Sequence, residues 1–187
     1  ILKGENKRMK ILVVVDAQND FVDGVLGSDR AQRAIPYMVA EINKLTKDDR
    51  LFVTHDTHDA NYLSTNEGKH LPIEHCIVGT DGWELNPEIK AAVNATPAHL
   101  HRVIKLQFGS LELLDKIKHY YLVKEEDLDI ELVGLCTDIC VITNALLLRT
   151  KFPNARISVC ADACAGSSPS RHWEALHVME SCQIEVI

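Results

Sequence analysis

Ile130-Glu131-Leu132-Val133-Gly134-Leu135-Cys136-Thr137-Asp138-Ile139-Cys140-Val141 is the stretch that decides the fold. The apolar run ahead of Gly134 reads as a strand, Gly134 to Asp138 as a tight turn, and the apolar spacing from Val141 to Leu148 as a helix. Asp138 is the expected N-cap, which puts Cys140 in the first turn of that helix. Backbone N–H groups are unpaired there and the helix dipole is positive, a setting that lowers a thiol pKa. The same N–H groups suit a developing oxyanion. A cysteine so placed is either a nucleophile or a small buried hydrophobe.

Working outward, the continuous β-branched run at residues 11–15 reads as a strand buried on both faces, as in a parallel sheet. Further strands are expected at 50–54, 101–104, 131–133, 156–160 and 184–187. Helices are expected at 34–45, 87–93, 111–119, 141–148 and 169–179, with Ser110 capping the third. Strands alternating with helices imply an α/β sheet with right-handed crossovers. The long polar, histidine-rich segment 55–82 exceeds what a simple connection needs and is read as functional. Trp83 and Trp173 read as packing anchors.

With 187 residues, the chain suits one domain spanning 1–187, residues 1–8 being a short polar tail ahead of Met9. No leader is read in that tail, and no apolar run approaches a membrane span. The net charge of −7 and the lack of a basic stripe argue against a nucleic-acid partner. Six cysteines, several inside apolar runs, fit reduced cytoplasmic usage better than a disulfide framework. Cys136 with Cys140 and Cys160 with Cys164 are spaced too widely for a four-cysteine zinc site.

Open α/β sheets bind ligands outside the carboxyl ends of their strands. Asp16, Asp56 with His58, Lys105 and Cys140 all fall just past expected strand ends, so four strands would deliver reactive groups to one edge. Singly, Asp16 is an ordinary turn residue and Lys105 a solvated lysine. Together they fit a nucleophile (Cys140), a general base (Asp16) and a cation that steadies both (Lys105), with the backbone N–H groups of Cys136 and Cys140 as an oxyanion hole. A second set is Asp56, His58, Glu67 and His75. Asp56 and His58 are two apart on an extended segment and point alike. Two imidazoles with one or two carboxylates suit a divalent zinc, iron or manganese ion; otherwise the segment is a polar surface loop.

These motifs resemble the isochorismatase-like cysteine hydrolases, and among them the nicotinamidase-related branch. Val15-Asp16-Ala17-Gln18-Asn19-Asp20-Phe21 is similar to the family's aspartate motif, and Gly134 to Val141 to its nucleophile segment. Thr54-His55-Asp56-Thr57-His58 with Glu74-His75-Cys76 resembles the nicotinamidase metal segment. The resemblance implies a three-layer Rossmann-like fold with a six-stranded parallel sheet flanked by helices. It also implies a cis peptide at Leu135-Cys136 and a homo-oligomer, dimer or tetramer. Catalytic Asp16, Lys105 and Cys140 and metal ligands Asp56, His58, His75 and Glu67 follow from it, with no organic cofactor. The implied reaction is hydrolysis of a small planar amide, nicotinamide foremost, through a thioester on Cys140. A related amide or carbamoyl substrate, or a non-catalytic binder on the same fold, is the alternative. Nicotinamidases carry an aromatic residue before the second histidine ligand, where this chain has Leu71-Pro72-Ile73-Glu74. Phe21 and Phe108 are therefore the expected substrate-stacking residues.

Overall fold

The structure is a computed structural model and describes residues 8–119 and 124–187; apart from Arg8, the tail read at residues 1–8 lies outside them. In chain order the elements are β1 (Met9–Val15), α1 (Asn19–Val22), α2 (Asp29–Asn43), β2 (Arg50–Asp56), α3 (Asn66–His70), α4 (Pro87–Ala95), β3 (His99–Lys105), α5 (Leu111–His119), β4 (Leu128–Leu135), α6 (Ile142–Lys151), β5 (Arg156–Ala165), α7 (Pro169–Ser181) and β6 (Glu185–Val186). The six strands pair in the order β3-β2-β1-β4-β5-β6, every pair parallel.

The two faces of β1 explain its uninterrupted apolar run. Ile11, Val13 and Val15 pack under α5, α6 and α7, while Leu12 and Val14 pack under α2 and α4. Every one of these side chains is fully buried, which only a sheet covered on both sides requires. The result is a three-layer α/β sandwich. Because all strands run the same way, their carboxyl ends share one edge.

Two backbone features shape that edge. Asp16 follows β1 in the left-handed region at φ 47°, a conformation Asp tolerates better than most residues. Gly134, near the end of β4, has φ 130°, and a Cβ there would run into the Val15 carbonyl of β1. Glycine is thus required for close approach of the two central strands. The Leu135-Cys136 peptide is cis.

The expected boundaries shift in places. α2 starts at Asp29 rather than residue 34, because Ser28 Oγ accepts the Ala31 N–H and caps a polar first turn. β5 runs on to Ala165 after a register shift opposite β4. Trp173 is a correction: it is 55% exposed on the outer side of α7 and anchors no core.

Candidate active site

β1, β2 and β3 bring three charged side chains together. Asp56 and Lys105 are direct register partners at the ends of β2 and β3. Lys105 Nζ lies 2.7 Å from Asp16 Oδ2, 2.8 Å from Asp56 Oδ1 and 3.5 Å from Cys140 Sγ. It also donates to the Gln107 carbonyl at 3.1 Å. All four of these side chains are buried. Burial opposes charge on Lys105, yet the Asp16 and Asp56 carboxylates beside it raise its pKa, so it stays an ammonium.

Asp16 is held from its other side. Thr54 Oγ1 donates to Asp16 Oδ1 at 2.6 Å and accepts the Asp16 N–H at 3.1 Å. Oδ2 lies 2.7 Å from the Lys105 ammonium and meets no other partner among the described residues. That oxygen has a lone pair to spare for a proton. Complete burial raises the Asp16 pKa against the pull of Lys105, which makes it a stronger base than an exposed aspartate.

Cys140 corrects the local expectation. Residues Thr137–Val141 form a π-helical turn ahead of α6, with the Val141 N–H on the Cys136 carbonyl at 3.1 Å. Asp138 caps nothing; its carboxylate accepts from Ser167 N at 2.7 Å and Ser167 Oγ at 2.6 Å. Nor is the thiol acidic at rest. Burial, then the nearby Asp16 carboxylate, push its pKa well above the ordinary value, and Lys105 offsets only part of this. Asn144 fixes the turn by donating to the Cys140 carbonyl at 2.8 Å.

The second cluster gathers Asp56, His58, Glu67 and His75, one donor atom from each lying within 4.8 Å of every other. His58 Nε2 is 3.1 Å from Asp56 Oδ2 and 3.7 Å from Glu67 Oε1. His75 Nε2 is 3.7 Å from Asp56 Oδ2 and 3.8 Å from Glu67 Oε1. Metal–ligand bonds of roughly 2.0–2.2 Å put neighbouring donors about 3 to 3.6 Å apart, so the set needs only a small contraction to close on an ion. His75 Nδ1 faces the Ile73 carbonyl at 2.8 Å, which requires its proton there and leaves the Nε2 lone pair for the cluster. The donors fit a divalent metal ion. Burial and the Asp56 charge raise the Glu67 pKa, a repulsion that a bound cation removes.

The loop that supplies Glu67 and His75 is stapled at few points. Asp20 Oδ2 accepts the N–H of Cys76, which sits next to His75 at φ 47°. The Tyr62 ring packs 4.7 Å from His58 and 5.0 Å from His75 between centroids. Gln18 grips the end of β2, with Nε2 on the Asp56 carbonyl at 2.9 Å and Oε1 on the Asp56 N–H at 2.7 Å.

Both clusters open into one cavity of about 350 Å³, at the small end for ligand pockets. Phe21, Leu26, Leu71, Phe108 and Ile139 wall it, and Asp56, Glu67, His75, Cys136 and Cys140 form its polar side. Ser167 and Arg171 complete its lining. Phe21 is buried and Phe108 is half exposed. No role was read in the sequence for Thr54, Gln18, Asp20, Tyr62 or Arg171. Thr54, Gln18 and Asp20 lie inside the quoted motifs, beside Asp56 and Asp16, while Tyr62 and Arg171 offered no signal.

Comparison with known proteins agrees with this geometry. The family described as Isochorismatase domain matches residues 10–187. Nicotinamidase from Schizosaccharomyces pombe is 27% identical over 94% of this chain and 91% of its own length. The crystal structure of nicotinamidase/pyrazinamidase from Bacillus subtilis superposes with a TM-score of 0.76 at 25% identity, covering 95% of this chain and 98% of that one. A pyrazinamidase of Pyrococcus horikoshii, solved in complex with zinc, gives 0.73 at 25% identity, with 95% and 98% covered.

Proposed function

The chain belongs to the isochorismatase family, and we propose that it is a cysteine amidohydrolase that converts nicotinamide to nicotinic acid and ammonia. The observation that carries this is the position of Lys105 Nζ, in contact at once with Asp16, Asp56 and Cys140. The sulfur, the carboxylate and the candidate metal cluster thus belong to one charge network. The relatives named above for acting on nicotinamide and pyrazinamide share the family over nearly the whole chain.

In this reading Asp16 Oδ2 takes the proton of the Cys140 thiol as sulfur attacks the amide carbonyl carbon. The raised pKa values of both groups suit a proton passed in the act of attack rather than a standing thiolate. Lys105 remains protonated throughout and steadies the negative charge as it moves between sulfur and carboxylate. The backbone N–H groups of Cys136 and Cys140 receive the tetrahedral oxyanion. Protonated Asp16 then gives its proton to the leaving nitrogen, ammonia departs, and a thioester remains on Cys140. Asp16 next deprotonates the water that hydrolyses it.

Asp56, His58, Glu67 and His75 are the proposed ligands of a divalent ion, zinc being the choice supported by the zinc-bound relative. Such an ion supplies Lewis acidity and a fixed point for a polar atom of the substrate. Phe21 and Phe108 are the proposed ring-stacking surfaces. Six free cysteines fit a reducing cytoplasm, and a dimer or tetramer is the proposed assembly. The test is turnover of nicotinamide against a panel of small amides, with metal content measured on the same sample. Release of ammonia from nicotinamide supports the reading; an inactive, metal-loaded protein overturns it.

A further inference from the structure

Arg171 stands in the first turn of α7 and lines the same cavity as Cys140. Among the described residues its guanidinium makes no hydrogen bond or ion pair, since only its backbone N–H is engaged, on Ser168 Oγ at 3.2 Å. The cavity carboxylates, Asp56 and Glu67, are turned toward Lys105 and the two imidazoles instead.

The start of α7 is tied to the nucleophile turn on two sides. Asp138 accepts from Ser167 N and Oγ, and Thr137 Oγ1 lies 2.8 Å from His172 Nδ1. Arg171 is therefore held in place relative to Cys140, although its own side chain is exposed. The apolar wall of Phe21, Leu26, Leu71, Phe108 and Ile139 carries no charge. A cation without a counter-ion beside such a wall is the group an anionic substituent would meet. Its planar fork suits a carboxylate in two-point contact.

We propose that Arg171 is a specificity-determining residue, and that among the planar ring amides this site hydrolyses it favours those bearing an anionic group away from the scissile carbonyl over neutral ones such as nicotinamide. This rests on the amidohydrolase reading. Because water screens an exposed guanidinium, the preference it confers is moderate, about tenfold.

The test uses the full, metal-loaded chain and two probes, a pyridine carboxamide carrying a ring carboxylate and its methyl counterpart. The wild type should favour the carboxylated amide about tenfold in kcat/KM, mainly through KM, and less so as salt rises. Arg171→Met should erase the preference and Arg171→Lys should keep part of it. A wild type that favours the methyl compound, or a preference that survives Arg171→Met, overturns the proposal. Should neither amide be hydrolysed, the amidohydrolase reading fails by itself. Calorimetric binding of the matching pyridine dicarboxylate then decides: weaker binding by Arg171→Met supports the role of Arg171, and equal binding overturns it.

Discussion

The two halves of the site are held by different forces. Asp16, Asp56 and Lys105 leave the ends of parallel strands, and their spacing is set by ladder registers deep in the sheet. Glu67 and His75 come instead from the connection between β2 and α4, which carries one five-residue helix, α3, and two single 3₁₀ turns. That half relies on point contacts: Asp20 on Cys76, Tyr62 against both imidazoles, His75 on the Ile73 carbonyl. Asp56 belongs to both, with one carboxylate oxygen toward Lys105 and the other toward His58 and His75. A sheet edge fixes geometry by itself, whereas a loop must be fixed residue by residue. The halves should therefore fail separately everywhere except at Asp56.

Removing the proposed nucleophile should separate them most sharply. Cys140→Ala is expected to lower kcat by on the order of 10⁴-fold or more while metal content stays at the wild-type level. Loss of metal in that variant would show that the halves are not independent. The reverse cut is His58→Ala, which should weaken metal affinity by more than about 100-fold yet leave alkylation of Cys140 by iodoacetamide near its wild-type rate. Inductively coupled plasma analysis and peptide mass mapping read the two quantities.

Asp20→Asn probes a staple rather than a ligand. It weakens the hold on the Cys76 N–H, and metal affinity should drop about tenfold with the fold intact by circular dichroism. A drop as large as that of His58→Ala would mean that Asp20 does more than hold the loop. On the sheet side, Asp16 as the proposed base must be ionised to accept the thiol proton. Its folded-state pKa is raised, so kcat/KM should start to fall while the pH is still above the ordinary carboxylate range, by about tenfold per pH unit once below that pKa. A rate that is flat down to pH 4 would remove Asp16 as the base. The smallest effect is expected from Cys136→Ala. Its sulfur is not assigned a chemical role, and the proposed one belongs to its backbone N–H, so activity should stay within about threefold of wild type.

The same contrast explains what could be read from the sequence. β-branched runs mark buried parallel strands, and a reactive residue just past such a run has its place on the edge decided by topology. Asp16, Asp56, Lys105 and Cys140 were legible for that reason. Glu67 and His75 were legible by residue type, and family resemblance supplied what spacing could not. Asp138 was misread because an N-cap pattern does not distinguish an α-turn from the π-turn that forms, in which its carboxylate is drawn off to Ser167. The thiol pKa was misread because a helix start says nothing about burial, and here burial and the Asp16 carboxylate outweigh the pull of Lys105. Arg171 left no trace: its place in the cavity depends on how α7 returns across the sheet edge, a long-range fact without local pattern.

The most direct test is to mix the protein with nicotinamide, quench in acid during turnover and measure intact and peptide masses. The prediction is a nicotinoyl adduct on the peptide that contains Cys140, absent in Cys140→Ala and prolonged when water attack is slowed. Turnover with no adduct at any quench time, together with activity retained in Cys140→Ala, would contradict it.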